Sequence, residues 1–275
     1  VLMHGTDTIH YTSAALSFML QDLPVPVVLV GAQRSSDRPS SDNRINLVSA
    51  ILYAAYGKFA EVVVCMHSSI EDKGCFIHRG TKVRKIHTSR RDAFKSINTK
   101  PLAYIDYNSR IINYLSEGLR ERDKNRKLKV DTRLNPNVGI FYFHPGAKPE
   151  FLEEMAKFYD GIVIAATGLG HVSTNLINDK FAKSFVPTIE KLIKRGIPIV
   201  FAPQTIYGRL DLDVYSAGRV LEKAGLIGNG CDWTIETALV KLMFVLGHTK
   251  NMEEIKKMMM ENIVGEISER IDYEL

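Results

Sequence analysis

Long apolar runs are missing from this 275-residue chain, and no stretch reaches the ~20 residues a bilayer-spanning helix needs. No segment reads as a secretory signal either. Cysteine is scarce: Cys65, Cys75 and Cys231 form no CxxC pair, and three is an odd number. A disulfide framework is therefore not expected, and a reducing cytoplasm is the compartment that fits. No HExxH or HxxxH spacing occurs, although His4, His67, His78, His87, His144 and His171 fall at or near loops, so a zinc site is not expected. The turn Thr167-Gly168-Leu169-Gly170-His171 lacks the GxxxxGK[ST] pattern, which removes the usual warrant for nucleotide binding there. Charge of one sign is not dominant: 36 Lys+Arg stand against 31 Asp+Glu, a net +5 that fits a slightly basic surface better than a nucleic-acid footprint.

What is present is an alternation of short β-branched runs with amphipathic stretches. Strands are expected over 25–30, 61–66, 138–143, 161–166 and 198–202, each a continuous apolar run of the kind buried on both faces of a sheet. Helices are expected over Thr12–Leu20, Asn46–Tyr56 and Lys180–Arg195, the last ending at Gly196. This order predicts an α/β protein with a mainly parallel, doubly wound sheet. The charged segment from about Glu117 to Asn137 breaks the alternation and reads as a solvated linker. It predicts an N-terminal lobe over 1–130 and a C-terminal α/β lobe over 131–275 that ends in a helical tail. Val1-Leu2-Met3 reads as the last piece of a strand, and the first lobe is expected to be truncated at its start.

Ligands of open α/β sheets sit beyond the carboxyl ends of the strands, so those loops are where chemistry is expected. His4-Gly5-Thr6-Asp7-Thr8 follows the first strand piece and precedes a helix. Its glycine permits close backbone approach, Thr6 offers a hydroxyl, and Asp7 offers a carboxylate for a substrate ammonium. A helix N-cap explains the same residue types. The next strand-end loop runs from Gly31-Ala32-Gln33-Arg34 to Asp42 and is rich in turn formers, equally at home on an ordinary surface. Arg79 to Arg91 carries a basic cluster that includes Lys82, Arg84 and Lys85. Three readings stand for it: a solvated hairpin, a contact with tRNA phosphates, or a site holding one catalytic lysine whose pKa burial or neighbouring charges such as Arg79 and Arg84 would depress.

Taken together these segments resemble the L-asparaginase/glutaminase superfamily over essentially the whole chain. His4–Thr8 looks like that family's second signature, Gly31–Arg34 like its following strand end, Lys85 like its catalytic lysine, and Gly168-Leu169-Gly170 like its C-terminal glycine turn. Within the superfamily, Ser35–Asp42, His87–Phe94, Tyr215–Arg219 and Glu261–Ser268 resemble the family of archaeal D subunits of glutamyl-tRNA(Gln) amidotransferases. The resemblance implies a two-lobed asparaginase-like fold with a smaller C-terminal α/β domain. It implies Thr6, Asp7 and Lys85 as catalytic residues, and His4, Gly5, Thr6, Asp7, Gly31 and Ala32 as substrate-binding. It implies release of ammonia from L-glutamine for conversion of Glu-tRNA(Gln) to Gln-tRNA(Gln). No cofactor is implied in this chain; ATP and Mg belong to a partner, the amidotransferase E subunit, in a heterotetramer built around a homodimer of this chain. A first signature of Thr-Gly-Gly-Thr type, carrying another catalytic threonine, lies upstream in family members and is absent here. Two alternatives stay open: a free-standing L-asparaginase, and an interaction module left inactive by truncation. The tail from Met252 is read either as a helix packed on its own domain or as a docking surface for a partner, with Met258, Met259, Met260, Ile263 and Ile267 in contact.

Overall fold

A computed structural model describes residues 1–177 and 179–271. The chain divides into two compact units, Val1–Thr132 and Arg133–Ile271. Among the described residues no helix is long and apolar enough to cross a membrane.

The first unit opens with β1 (Leu2–Met3), α1 (Ile9–Met19), β2 (Leu20–Gln21), β3 (Val27–Val30), α2 (Asn43–Tyr56) and β4 (Val62–His67). It continues with β5 (Gly74–Arg79), β6 (Val83–Lys85), β7 (Phe94–Ser96), β8 (Ala103–Asp106), β9 (Ile112–Tyr114) and β10 (Lys129–Val130). Its main sheet has the order β1-β3-β4-β5-β8-β9. The β1–β3 and β3–β4 pairs are parallel, whereas β5, β8 and β9 add antiparallel ladders. The sheet is therefore mixed, and its antiparallel half is more than the sequence pattern predicted. That half comes from short strands whose apolar residues alternate with polar ones, as in Ala103-Tyr104-Ile105-Asp106 with its buried and half-buried positions in turn. Such strands escape a search for continuous apolar runs.

All six residues of β4 are buried. The two-residue period of a strand sends alternate side chains to opposite faces. Val63 and Cys65 join a core with Ala50 and Tyr53 of α2, while Val62, Val64 and Met66 join another with Ile9 of α1 and Val83 and Phe94 of the hairpin β6–β7. A sheet clothed on both faces in this way explains why the run at 61–66 is apolar without alternation. The charged segment after Glu117 is not a free linker. Arg122 donates to the carbonyls of Ala54 and Gly57, Arg126 donates to that of Leu23, and Lys129–Val130 pair with Leu20–Gln21. Its polar side chains serve the carbonyls of helix ends and loops, a use that composition alone does not reveal.

The second unit contains β11 (Val138–Tyr142), α3 (Pro149–Met155), β12 (Gly161–Ala166), α4 (Val186–Lys194), β13 (Ile199–Pro203), α5 (Ser216–Lys223), α6 (Ile235–Leu246) and α7 (Met252–Met260). The three strands form a parallel sheet in the order β11-β12-β13. Leu152 of α3, Ile189 and Leu192 of α4 and Leu221 of α5 share one core with Ile162, Ile164 and Phe201. α6 packs against all three strands, and Gly161 lets it come close: a Cβ there would lie 2.8 Å from Leu246 Cδ1. Helix α4 is shorter than the expected Lys180–Arg195. It starts at Val186, with proline at the first turn, and Phe181 ahead of it is 85% exposed rather than on a buried helical face. Proline tolerates only the first turn of a helix, so Pro187 sets the start.

The described part of the tail packs on its own unit. Met259 and Ile255 of α7 are buried, and Glu266 meets Lys241 of α6 at 2.6 Å with neither side chain exposed. Glu266 also accepts the backbone N–H groups of Ile263 and Val264. Met258–Met260 therefore do not form one exposed docking stripe; only Met260, 40% exposed, faces outward strongly. The last four residues of the expected tail and C-terminal lobe lie outside the described residues.

Candidate active site

The site lies in the first unit, where the loops after β1 and β3 meet the end of β6. The parallel β1–β3 pair places Met3 beside Val30, and His4 N–H continues the ladder by donating to Val30 O at 2.8 Å. The two strands thus end side by side, and their loops emerge together. Gly31 is the residue that permits it. A Cβ at Gly31 would lie 2.6 Å from His4 O and 3.0 Å from Thr6 Cγ2, closer than atoms pack. At Gly5 nothing stands within 4 Å of the Cβ position, so the backbone there is open to approach.

Lys85 is the last residue of β6 and pairs with Phe94 across the hairpin. Its Nζ donates to Thr6 Oγ1 at 2.9 Å and to Asp7 Oδ1 at 2.7 Å. The three residues singled out as catalytic therefore form one hydrogen-bonded group. The Lys85 side chain is 11% exposed and that of Asp7 is 91% exposed, so the ammonium sits at the inner edge of an open site. The hydrogen bond from Lys85, and then its charge, hold the Asp7 carboxyl below the usual carboxylate range. The helix-cap explanation of Thr6-Asp7-Thr8 does not hold. α1 begins at Ile9 with Thr8 in the cap position, and Thr8 makes no capping hydrogen bond through its side chain. Thr6 and Asp7 stand ahead of the helix and are turned to Lys85.

The other expected binding residues lie around this group. His4 is half-buried, with Nε2 2.9 Å from Thr12 Oγ1 on α1 and Nδ1 2.6 Å from Gly5 O. Ala32 follows Gly31 and is half-buried. The basic cluster around Lys85 is largely neutralised in place. Arg79 grips Glu61 through Nε and Nη2 at 2.7 Å each, Arg90 pairs with Asp92, and Arg91 pairs with Asp72. Those pairings leave less free charge for a phosphate backbone than the bare count of cations suggested. The turn Thr167–His171 of the second unit closes on itself, with Thr167 N–H and Oγ1 both donating to His171 O. Among the described residues no group of three or more His, Cys, Asp or Glu is placed to hold a metal ion.

One set of residues escaped the sequence reading. Thr6 Oγ1, which accepts from Lys85, passes its own hydrogen to Gln33 Oε1 at 2.9 Å. The buried Asp42 carboxylate accepts the N–H groups of Gln33 and Arg34 at 3.0 and 2.9 Å, and the Nδ2 group of Asn46 at 2.9 Å. Asn46 Nδ2 also donates to Gly31 O at 2.9 Å. Asn46 Oδ1 receives the Cys75 thiol at 3.3 Å and lies 2.5 Å from His67 Nδ1. The signal available in sequence was Asp42 at the cap position of α2. Its carboxylate turns back onto the loop instead of capping the helix.

Residues 1–117 match the family model described as "Asparaginase, N-terminal", and residues 137–259 match "Glutaminase/Asparaginase C-terminal domain". The thermostable L-asparaginase from Thermococcus kodakarensis superposes with a TM-score of 0.85 at 36% identity, over 97% of this chain and 75% of that one. L-asparaginase I from Vibrio cholerae superposes with a TM-score of 0.81 at 27% identity and the same coverage. The chain belongs to the asparaginase/glutaminase family.

Within it, curated relatives that match the chain almost from end to end are named as the D subunit of glutamyl-tRNA(Gln) amidotransferase. That of Pyrococcus abyssi is 49% identical over 270 residues, which is 98% of this chain and 58% of the relative. That of Methanobrevibacter smithii is 47% identical over 271 residues, 98% of this chain and 59% of the relative. That of Thermofilum pendens is 42% identical over 275 residues, 100% of this chain and 58% of the relative. The chain thus spans less than two thirds of the length of these relatives.

Proposed function

We propose that this chain carries the lysine-centred part of a glutamine-hydrolysing site, and that the protein to which it belongs is the amidohydrolase component of a tRNA-dependent amidotransferase. The observation that carries the reading is Lys85 Nζ held between Thr6 Oγ1 and Asp7 Oδ1. Amide hydrolysis requires an activated oxygen nucleophile, a stabiliser for the developing oxyanion, and a proton for the departing ammonia. With one proton given up to solvent, the amine of Lys85 takes another from the attacking hydroxyl or water, while Thr6 Oγ1 at 2.9 Å accepts from Nζ and holds it in place. The same proton is then available to the leaving nitrogen, so that L-glutamine and water become L-glutamate and ammonia. Asp7, mostly exposed and held ionised, is suited to the α-ammonium group of the substrate. In this reading the backbone N–H groups of Gly5 and Thr6 serve the oxyanion, and nothing stands within 4 Å of where a Cβ on Gly5 would lie.

The names of the curated relatives support the tRNA-dependent setting over a free-standing asparaginase. In that setting the ammonia passes to a partner, the amidotransferase E subunit, which uses ATP and Mg to activate Glu-tRNA(Gln) in the cytoplasm. Two copies of the present protein and two of the partner form the assembly. The test is ammonia release from L-glutamine and from L-asparagine by the full-length protein, with and without the partner, ATP and Glu-tRNA(Gln). Glutamine turnover that rises with the partner and the charged tRNA supports the proposal. Asparagine turnover indifferent to both favours the free-standing asparaginase, and absence of turnover in every combination contradicts the proposal.

A further inference from the structure

Thr6 Oγ1 has one hydrogen to give and lone pairs with which to accept. Lys85 Nζ donates to it, so its own hydrogen must go elsewhere, and Gln33 Oε1 takes it at 2.9 Å. Gln33 does not reach Lys85 or Asp7 by any hydrogen bond; it meets this group through Thr6. Its backbone is pinned from behind by Asp42, which Asn46 orients, and Asn46 is fixed in turn by Cys75 and His67 from the sheet. A connected polar chain of this kind holds one geometry against its alternatives. The Gln33 Nε2 group, by contrast, is buried with no hydrogen-bond partner, so this amide is retained at some cost to folding.

We propose that Gln33 is a positioning residue for the amide-hydrolysing chemistry, holding the Thr6 hydroxyl hydrogen so that a Thr6 lone pair stays on Lys85 Nζ. The proposal rests on the reading of Thr6 and Lys85 given above. Asp42 and Asn46 act one step further back, by fixing where the Gln33 backbone can be.

The experiment compares Gln33→Met, which has similar length and no acceptor, with Gln33→Glu, which keeps an acceptor and adds charge. Ammonia release from L-glutamine is followed in the full-length protein with its partner across pH, beside wild type and Lys85→Met. Gln33→Met is expected to lower kcat about tenfold with KM within about twofold, as fits loss of one hydrogen bond that matters in the transition state. Gln33→Glu is expected to restore kcat to within about threefold and to move the acid limb of the pH profile upward, because a nearby negative charge favours protonated Lys85. Wild-type kcat in Gln33→Met overturns the proposal. So does equal damage in both variants with KM raised in step, which is the mark of a merely structural residue. Gln33→Leu serves as a second acceptor-free replacement; if neither it nor Gln33→Met folds while Gln33→Glu does, the residue holds the loop and not the hydrogen, and the proposal falls. Turnover that survives Lys85→Met defeats the catalytic reading itself. Turnover lost in Lys85→Met but intact in Gln33→Met defeats only the role given to Gln33.

Discussion

Lys85 Nζ lies 2.9 Å from Thr6 Oγ1 across a separation of 79 residues. The contact depends on three local facts: β1 and β3 end in register, Gly31 has no side chain, and the hairpin β6–β7 covers the face of the sheet on which α1 also lies. Each can be perturbed separately.

Gly31→Ala tests the close approach. The added methyl meets His4 O at 2.6 Å and Thr6 Cγ2 at 3.0 Å, and the nearer of these is backbone that cannot swing aside. The variant is expected to lose about 1–3 kcal/mol of stability in urea unfolding, as overpacking does, and most of its glutamine hydrolysis. Wild-type values for both contradict the placement of the two loops.

Asp7 offers a spectroscopic readout of its bond to Lys85. Its carboxyl is lowered from the ordinary value of 3.8. The sign follows: the folded state keeps this group ionised to lower pH than the unfolded chain does, so the favourable term is present above 3.8 and fades as pH falls through the folded value. In Lys85→Met, carboxyl-carbon NMR should find Asp7 back near its ordinary value. An unmoved titration would show that Lys85 is not its partner.

The strands that carry the site were legible because β3 and β4 are apolar on both faces, and the His4–Thr8 and Gly31–Arg34 loops could be found by looking just beyond the carboxyl ends of strands. Residues 74–114 were less legible. Phe76, Tyr104 and Asp106 alternate with buried neighbours, and half-buried antiparallel strands leave no continuous apolar run. For Asp42 and Asn46 the sequence offered only an acidic residue ahead of a helix, not their roles. A carboxylate that caps its helix and one that turns back to bind a loop have the same sequence. Likewise, Lys85 stood among six cations, and only the fold gives Arg79, Arg90 and Arg91 to carboxylates and Lys85 to Thr6 and Asp7.

His78 predicts acid sensitivity. It is fully buried, with Nδ1 2.8 Å from Ser96 Oγ, and burial together with the charge of Lys95 pushes its pKa down to about 3. In the unfolded chain it titrates at its ordinary value of 6.5, so between these values the unfolded state alone binds the proton. Stability is complete above 6.5 and drains away as pH falls toward about 3. His78→Asn should flatten that part of the curve of unfolding free energy against pH; an unchanged slope would remove His78 as the cause.

Lys241 and Glu266 form the second unit's buried ion pair, under the ring of Trp233 at 5.6 Å from Nζ. Lys241→Met leaves an unpaired carboxylate out of water and is expected to cost about 3–5 kcal/mol in urea unfolding. Lys241→Met with Glu266→Gln, which removes the charge but keeps an acceptor for Ile263 and Val264, should recover part of that loss. Equal stability of the single and double variants would contradict the pairing.

The central claim, that Lys85 between Thr6 and Asp7 is the proton-handling centre of an amide-hydrolysing site, is tested most directly by ammonia release from L-glutamine in full-length Lys85→Met with its partner present. A fall in kcat of about a thousandfold or more, in a protein that unfolds at the wild-type temperature, is the predicted result. Turnover within about twofold of wild type would contradict it.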